Sequence, residues 1–476
     1  MNANLHLATV LAVALAAAPA AAQQPVEQAP PATVPPATVP PATVPAATDP
    51  GATNATTEAQ EAEASWKKGR PMRIQYLRPA DKRGINVFET TKEPGAEFKG
   101  FALDVGAAFT AQLQDLSHEN TATPNIVNGT DTNKLQNIGF GFNNSTANAV
   151  LHAQLAPGIR VQLTTYLSAR HHNETWVKDG YIQFDESPFD VAPLKMLFEI
   201  ATIRVGHMEI NYGDAHFRRS DNGNALYNPF IGNYIIDAFT TEIGGEVYLK
   251  VNSIIAMGAL TAGELRGTVV TPEQRGPSLI GKLGFDRQFN KELRIRLTGS
   301  MYHSEKGISN TLYSGDRAGS RYYWVMENTA ATESANYTSG AINPGFRNQV
   351  TAFQMNPFVK YRGLEVFGVL ERSEGKASAE TTERTWKQYG LDTVYRFMAD
   401  ENLFVGVRYN KATGRLAGIT NDVGADRWQL GGGWFITPNI LAKAEFVTQK
   451  FTGYPTTHIR NGGKFNGFMM EGVVGF

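Results

Sequence analysis

From Phe98 onward, apolar residues recur at every second position in runs separated by turns. Phe101, Leu103, Val105, Ala107, Phe109, Ala111 and Leu113 share one parity, and Ala102, Asp104, Gly106, Ala108, Thr110 and Gln112 share the other. This period of two belongs to a strand with one apolar and one small or polar face. The pattern returns with Ile159, Val161, Leu163 and Leu167 set against Arg160, Gln162, Thr164 and Ser168. It returns again with Leu293, Ile295, Leu297 and Met301 against Arg294, Arg296, Thr298 and Ser300. Tyr389, Leu391, Tyr395 and Phe397 oppose Gln388, Asp392 and Arg396, and Trp428, Leu430, Trp434 and Ile436 oppose Arg427, Gln429 and two glycines.

The connections alternate in length. Short ones, rich in Gly, Pro, Asn or Asp, lie at 157–158, 290–292, 362–363, 399–402 and 437–439. Long polar ones lie near 114–137, 209–242, 263–277, 304–349, 373–385, 412–426 and 452–463. With a tight long-side turn near 171–174 and short-side turns near 187–194 and 252–253, the chain divides into about 16 strands. The number is even, and both ends fall on the short-turn side. A soluble sandwich would bury its apolar face against a second sheet. Here the opposite face repeats Arg, Gln, Tyr, Ser and Gly, and no helix is available as a cover. The expected fold is therefore all-β: a transmembrane antiparallel β-barrel over 98–476, apolar toward lipid and polar toward a wet lumen.

Composition agrees with this reading. The chain has 476 residues with 46 Gly and 10% aromatics, which suits a β-rich protein. Lys+Arg is 44 against Asp+Glu 45, without the basic excess of a general nucleic-acid binder. The absence of Cys removes disulfides, thiolate metal sites and Cys nucleophiles. Residues 1–22 read as a secretory signal peptide, with an apolar run over 7–18 and a small-residue cleavage site at Ala20-Ala21-Ala22, although the start carries His6 and no Lys or Arg. Pro-Ala-Thr-Val-Pro stands at 31–35, 36–40 and 41–45, so 23–65 reads as a disordered, semi-rigid periplasmic tether. Residues 66–97 form a pre-barrel segment, too short for the plug of an active receptor, with 73–89 expected in the barrel mouth.

The final stretch, Phe465 to Phe476, alternates and ends on an aromatic, with Phe468, Met470, Val474 and Phe476 on one face. It resembles the C-terminal signature of Gram-negative outer-membrane proteins. That resemblance implies outer-membrane localisation, contact with lipid and lipopolysaccharide, and recognition of the Phe476 strand by the barrel assembly machinery. Arg204-Val205-Gly206-His207-Met208-Glu209-Ile210-Asn211-Tyr212-Gly213 is similar to a strand-end motif of phosphate-selective porins, the porin O/P-like family, with Asn211-Tyr212-Gly213 where that family has a Pro-Phe-Gly-like turn. In general porins the third long loop folds inward, so the resemblance implies a constriction formed by 209–242. Trimers are common in that class, and a homotrimer is carried over as an open expectation.

The third loop holds Asp214, His216, Arg218, Arg219 and Asp221, which would set the field of a pore. Its apolar tail, Tyr227, Phe230, Ile231, Tyr234, Ile235, Ile236 and Phe239, favours packing inside the barrel over exposure. Strand phasing places Arg160, Arg170, Arg204, Lys282, Arg294, Arg296, Arg396, Arg408, Arg427 and Lys443 toward the lumen, against Asp104, Asp286, Asp392 and Glu445. That balance leans toward anions. The leading expectation is a passive diffusion channel for small hydrophilic solutes, with no enzymatic activity and no cofactor, metal or nucleic-acid partner. Alternatives are a barrel-embedded hydrolase, or an adhesin or wall-anchoring barrel using Arg321-Tyr322-Tyr323-Trp324 on the 304–349 loop. Gly276 to Leu283 imitates a P-loop but lacks its Ser/Thr and leads into a strand. His207, Glu209, Asp214 and His216 read as ordinary pore or loop residues rather than metal ligands.

Overall fold

The computed structural model describes residues 68–89, 92–171, 174–265, 269–315, 321–332 and 340–476. The signal peptide and the repeat tether expected over 1–22 and 23–65 lie outside the described residues, as do His172 and Asn173 of one expected turn. One sheet holds 17 strands, of which Gly141–Phe142 is a two-residue piece, leaving 16 long ones. In chain order these are β1 (Ala102–Glu119), β2 (Thr146–Ala156), β3 (Ile159–Ser168), β4 (Trp176–Phe184), β5 (Ala201–Glu209), β6 (Thr241–Val251), β7 (Ile254–Thr261) and β8 (Ser278–Gln288). They continue as β9 (Leu293–Ser304), β10 (Gln349–Tyr361), β11 (Leu364–Lys376), β12 (Arg384–Phe397), β13 (Leu403–Gly414), β14 (Val423–Thr437), β15 (Ile440–Thr452) and β16 (Lys464–Gly475).

Every strand pairs antiparallel with its sequence neighbours, and β1 pairs with both β2 and β16. The register between the ends runs from Ala108 opposite Gly475 to Glu119 opposite Lys464. Closure removes the free edge that an open sheet would present, so each backbone amide finds a partner within the sheet. Phe476 completes the seam by exchanging two 2.9 Å backbone hydrogen bonds with Ala107.

The two faces divide as the sequence pattern predicts. Phe101, Leu103, Val105 and Phe109 are exposed, while Ala108, Thr110 and Gln112 are buried. On β12, Tyr389, Leu391, Tyr395 and Phe397 point out and Gln388, Asp392 and Arg396 point in. Among the described residues no helix is long and apolar enough to cross a membrane, and crossing by strands needs none. The weak turn signal at 252–253 is a true two-residue hairpin with Asn252 at φ 54, a left-handed conformation that Asn tolerates.

Three expectations need correction. The short-side turn near 187–194 spans 185–200 and contains a helix, α1 (Ala192–Phe198), started by a proline in its first turn. The first long loop begins later than expected, because β1 continues to Glu119 through Leu116 and His118. The inward faces are not uniformly polar: Tyr302, Val350, Trp386, Val447 and Phe465 are buried apolar residues, packed with Ile231, Ile235, Leu312, Tyr322, Met326 and Phe346 from two long loops. An extended, largely apolar cluster therefore forms inside the barrel, where the two-residue period alone points to water.

Candidate pore and constriction

The third long loop, 210–240, leaves β5 and is held almost wholly by side chains of the inward faces. Arg296 Nε and Nη2 each donate 2.8 Å hydrogen bonds to Asp214, which also accepts from Thr298 Oγ1 at 2.8 Å and pairs with Lys282 at 2.6 Å. Burial alone would raise the Asp214 carboxyl, but Lys282 and Arg296 outweigh it and hold the carboxyl below its ordinary range. His216 is hydrogen-bonded to Glu209 through Nδ1 at 2.6 Å and to Asn211 through Nε2 at 2.9 Å. Burial holds its imidazole below the ordinary range despite Glu209. Arg218 pairs with Glu365 at 3.4 Å and bonds to Asn86. Arg219 grips Asp237 at 2.6 and 3.0 Å and reaches Asp221 at 3.1 Å. Asp221 in turn meets Lys178 of β4 at 2.6 Å and the Tyr166 hydroxyl of β3.

The apolar tail of the loop is anchored through its backbone. The Ile231, Ile235 and Ile236 amides donate to Glu445, Asn410 and Gln388 at 2.7, 2.6 and 2.8 Å, and Arg408 donates to the Gly232 carbonyl at 2.8 Å. The Tyr234 hydroxyl donates to Asp392 at 2.9 Å. These partners lie on β12, β13 and β15. The loop is thus fastened on the β8–β16 side, and Asp221 and Arg219 turn toward β3 and β4. Of the five loop residues singled out from sequence, Arg219 and Asp221 meet directly, Asp214 is tied to Lys282 and Arg296 of the wall, Arg218 to Glu365 and Asn86, and His216 to Glu209 and Asn211.

The wall arginines face inward, but most are paired. Arg408 holds Asp392 at 2.6 and 2.8 Å, Arg396 holds Glu365 at 2.6 Å, and Arg294 holds Asp286 at 2.7 and 2.8 Å. Arg204 donates to Gln183 at 2.7 Å and to Glu246 at 3.2 Å. Arg160 donates to Gln183 at 2.7 Å, while among the described residues its Nε and Nη1 have no hydrogen-bond partner. Arg170 lies past β3 in the turn, not on the strand wall. The sequence balance also missed the buried inward acids Asp179, Glu242, Glu246, Glu365, Glu371 and Glu471, several in strands too irregular to phase by eye.

Open space remains on the other side. A cavity of about 230 Å³ is lined by β2 to β6, by the third loop and by residues 77–88. Its charged lining is Arg78, Arg160, Lys178, Arg204 and Arg219 against Asp179, Glu209 and Asp221. Toward the long loops it shares Lys178, Arg219 and Asp221 with a second cavity of about 470 Å³, which reaches Leu265 and Gly315. Toward the short turns it shares Asn148, His152 and Tyr227 with a third of about 80 Å³, which reaches Asn439 and Phe476.

Two further contributors were not assigned to the lumen wall from sequence. Residues 68–89 run along inward-facing groups: Glu89 pairs with Lys282 at 3.0 Å and Arg296 at 2.8 Å, the Gln75 amide donates to Gln154 at 2.8 Å, and Arg78 stacks 3.7 Å over the Tyr227 ring. Residues 73–89, expected in the barrel mouth, thus contact inward-facing groups of β2, β8 and β9. In the 305–348 loop, Arg321 and Tyr322 are buried, with Tyr322 donating to Glu445 and Arg321 to the Asn222 carbonyl at 2.7 Å. The aromatic cluster read as an adhesive surface therefore joins the barrel wall to the third loop. Its signal was the unusual density of aromatics in an otherwise polar loop. Gly276 to Leu283 runs into β8, as its strand pattern required, and among the described residues no group of three or more His, Asp or Glu could hold a metal.

Fold and lumen together define a class: a closed, 16-stranded antiparallel β-barrel of the membrane-spanning kind, with an apolar exterior and a charged interior. No family model matches the chain, and no curated protein matches it. Among solved structures it is similar to the anion-selective porin from Comamonas acidovorans, with a TM-score of 0.48 and 10% identity over 79% of this chain and 100% of that one. It is similar to the outer-membrane channel DcaP of Acinetobacter baumannii, with a TM-score of 0.47 and 9% identity over 80% and 99%. It is also similar to OprB of Pseudomonas putida, with a TM-score of 0.47 and 10% identity over 79% and 94%.

Proposed function

We propose that this chain is an outer-membrane porin: a passive diffusion channel for small hydrophilic solutes, leaning toward anions and narrowed by its third long loop. The observation that carries the reading is the succession of three cavities with shared walls, from Leu265 and Gly315 past Lys178 and Arg219 to Asn439 and Phe476. The path follows β2 to β6, opposite the side on which the loop is fastened. The middle cavity carries five cationic side chains, Arg78, Arg160, Lys178, Arg204 and Arg219, against the acids Asp179, Glu209 and Asp221. The low-dielectric protein around the cavity focuses that excess on a passing ion. The constriction consists of His216, Arg219 and Asp221, with Asp214 and Arg218 as the loop's anchors, and the pore wall includes Arg160 and Arg204. Arg294, Arg296, Arg396 and Arg408 hold the loop and the wall acids in place.

Lipid and lipopolysaccharide would cover the exterior, and the β16 strand ending at Phe476 would be the address for the barrel assembly machinery. A homotrimer fits the class. The kinship to phosphate-selective porins rests on the stretch from Arg204 to Gly213 alone. Reconstitution in a planar bilayer tests the reading. Stepwise conductance is expected, with a reversal potential in a potassium chloride gradient displaced toward the chloride equilibrium value. Silent membranes would remove the channel, and a cation-side reversal would remove the anion leaning.

A further inference from the structure

The outward surface of β7 to β12 carries a furrow that the channel does not use. Strand register lays out two transverse rows there. In the first, successive Cα partners are Gly258, Gly281, Met301, Phe353, Arg372 and Lys387. The second runs through Leu283, Gly299, Met355, Leu370 and Tyr389. No heavy atom lies within 4 Å of where a Cβ would stand on Gly258, Gly281 or Gly299. The glycines therefore leave open ground among taller apolar neighbours, in a depression of about 760 Å³ lined by Gly281, Gly299, Met301 and Leu370. The first row spans five inter-strand steps, about 24 Å.

One end of that row is charged. Arg372 and Lys387 are direct partners across β11 and β12, toward the long-loop ends, and both line the same depression. The Arg372 side chain is 61% exposed and shares its guanidinium with Glu374, while Lys387 has no ion-pair partner among the described residues. Exposed outward lysines continue at the same end with Lys411 and Lys450, on either side of Asp426, and with Lys464, which pairs with Glu119 at 2.8 Å. Cations on a lipid-facing surface are unfavourable unless they reach a headgroup or an anion.

Taking the chain as an outer-membrane barrel, we infer that this furrow binds one phosphorylated, acylated glycolipid of the outer leaflet. An acyl chain lies over Gly281 and Gly299, and a phosphate sits against Arg372 and Lys387. Apolar fit and opposite charge at one end are the two features such an amphiphile presents together. A second copy of the chain would have to bring an apolar ridge and an acid into the same trough.

The test is native mass spectrometry of the full chain, folded in detergent with lipid A, a diphosphorylated hexa-acyl glucosamine disaccharide, in competition with phosphatidylethanolamine. Gly281→Leu with Gly299→Leu fills the floor, where there is room for the added side chains. Arg372→Gln with Lys387→Gln removes the charge and leaves the floor unchanged. Each pair is expected to lower glycolipid retention about tenfold while the heat-modifiable gel shift and the conductance stay as in the parent. Unchanged retention in either folded pair overturns the site. So does equal retention of phosphatidylethanolamine, or a loss of oligomer mass in place of lipid. A parent protein that keeps the glycolipid but conducts nothing supports the site and sinks the channel reading instead.

Discussion

Arg296 on β9 donates one 2.8 Å hydrogen bond to each carboxylate oxygen of Asp214, so the third long loop is clamped to the wall by a two-pronged ion pair with both partners buried. Removing Arg296 takes away one of the two cations on Asp214, which keeps Lys282 at 2.6 Å, so the loss should stay below the ~3–5 kcal/mol of a buried charge left with no partner. Arg296→Met should therefore lower the urea midpoint of unfolding and release the loop, giving larger and noisier current steps. Arg296→Met combined with Asp214→Leu should recover much of the stability, because neither charge is then stranded. Equal current noise in parent and single variant would show that Asp214 does not hold the loop.

Selectivity should depend most on Arg160. Its Nε and Nη1 lack protein partners, whereas the Arg294 guanidinium is shared with Asp286 through two hydrogen bonds. Arg160→Gln removes a charge that forms no ion pair among the described residues, and the reversal potential should move toward cations. Arg294→Gln should move it less, because Asp286 largely cancels that charge already. The comparison is made in one salt gradient at low ionic strength, where screening is weakest.

The strands were readable because each outward position meets one environment and each inward position another, as Leu297 and Thr298 show on β9. Such alternation survives in sequence without knowledge of the partner strand. The lumen was only half readable. Arg396 and Arg408 could be placed inward by parity, but their partners Glu365 and Asp392 are 31 and 16 residues away, and only the register brings them together. Glu246 and Asp179 were missed because β4 and β6 are interrupted by glycines and irregular pairing, which blur a two-residue period. The apolar run of the third loop signalled burial. The inward turn of Tyr322 was signalled only by the density of aromatics around it, since a single aromatic in a long loop reads the same whether it faces solvent or a wall.

Acidification should loosen the last long loop, 453–463. His458 accepts the Arg460 amide on Nδ1 at 3.1 Å and stacks against Tyr454, with ring centroids 4.7 Å apart. Burial, with Arg460 nearby, holds its imidazole down at about 4, against roughly 6.5 in an unfolded chain. Between these values the unfolded loop binds more protons than the folded one, so stability falls as pH drops through that window and is level on either side. Protection factors of the loop amides, taken relative to the intrinsic exchange rate at each pH, should fall from pH 7 to pH 4.5 in the parent. His458→Gln should flatten the dependence, and an equally steep fall in that variant would assign it to another group.

The segment 68–89 should limit the current more than any single loop residue does. It supplies Leu77, Arg78 and Phe88 to the middle cavity, and it lines the cavity of about 80 Å³ that is the smallest of the three on the path. Its attachments are mostly to lumen-facing side chains, Glu89 to Lys282 and Arg296 and Asn86 to Glu365 at 2.7 Å, with backbone contacts from Arg70 to the Val105 carbonyl of β1 and from the Lys82 amide to the Pro438 carbonyl, both at 2.9 Å. No barrel hydrogen bond depends on it, so a chain lacking 68–89 should still close between β1 and β16. Lys282 retains Asp214 as a partner at 2.6 Å, which limits the charge left unpaired. Unitary conductance of the shortened protein should rise severalfold, and the anion preference should weaken with the loss of Arg78. A free peptide of residues 68–89 added on the short-turn side should restore part of the block. Conductance equal to that of the parent, with normal gel mobility, would mean that solutes pass without meeting this segment.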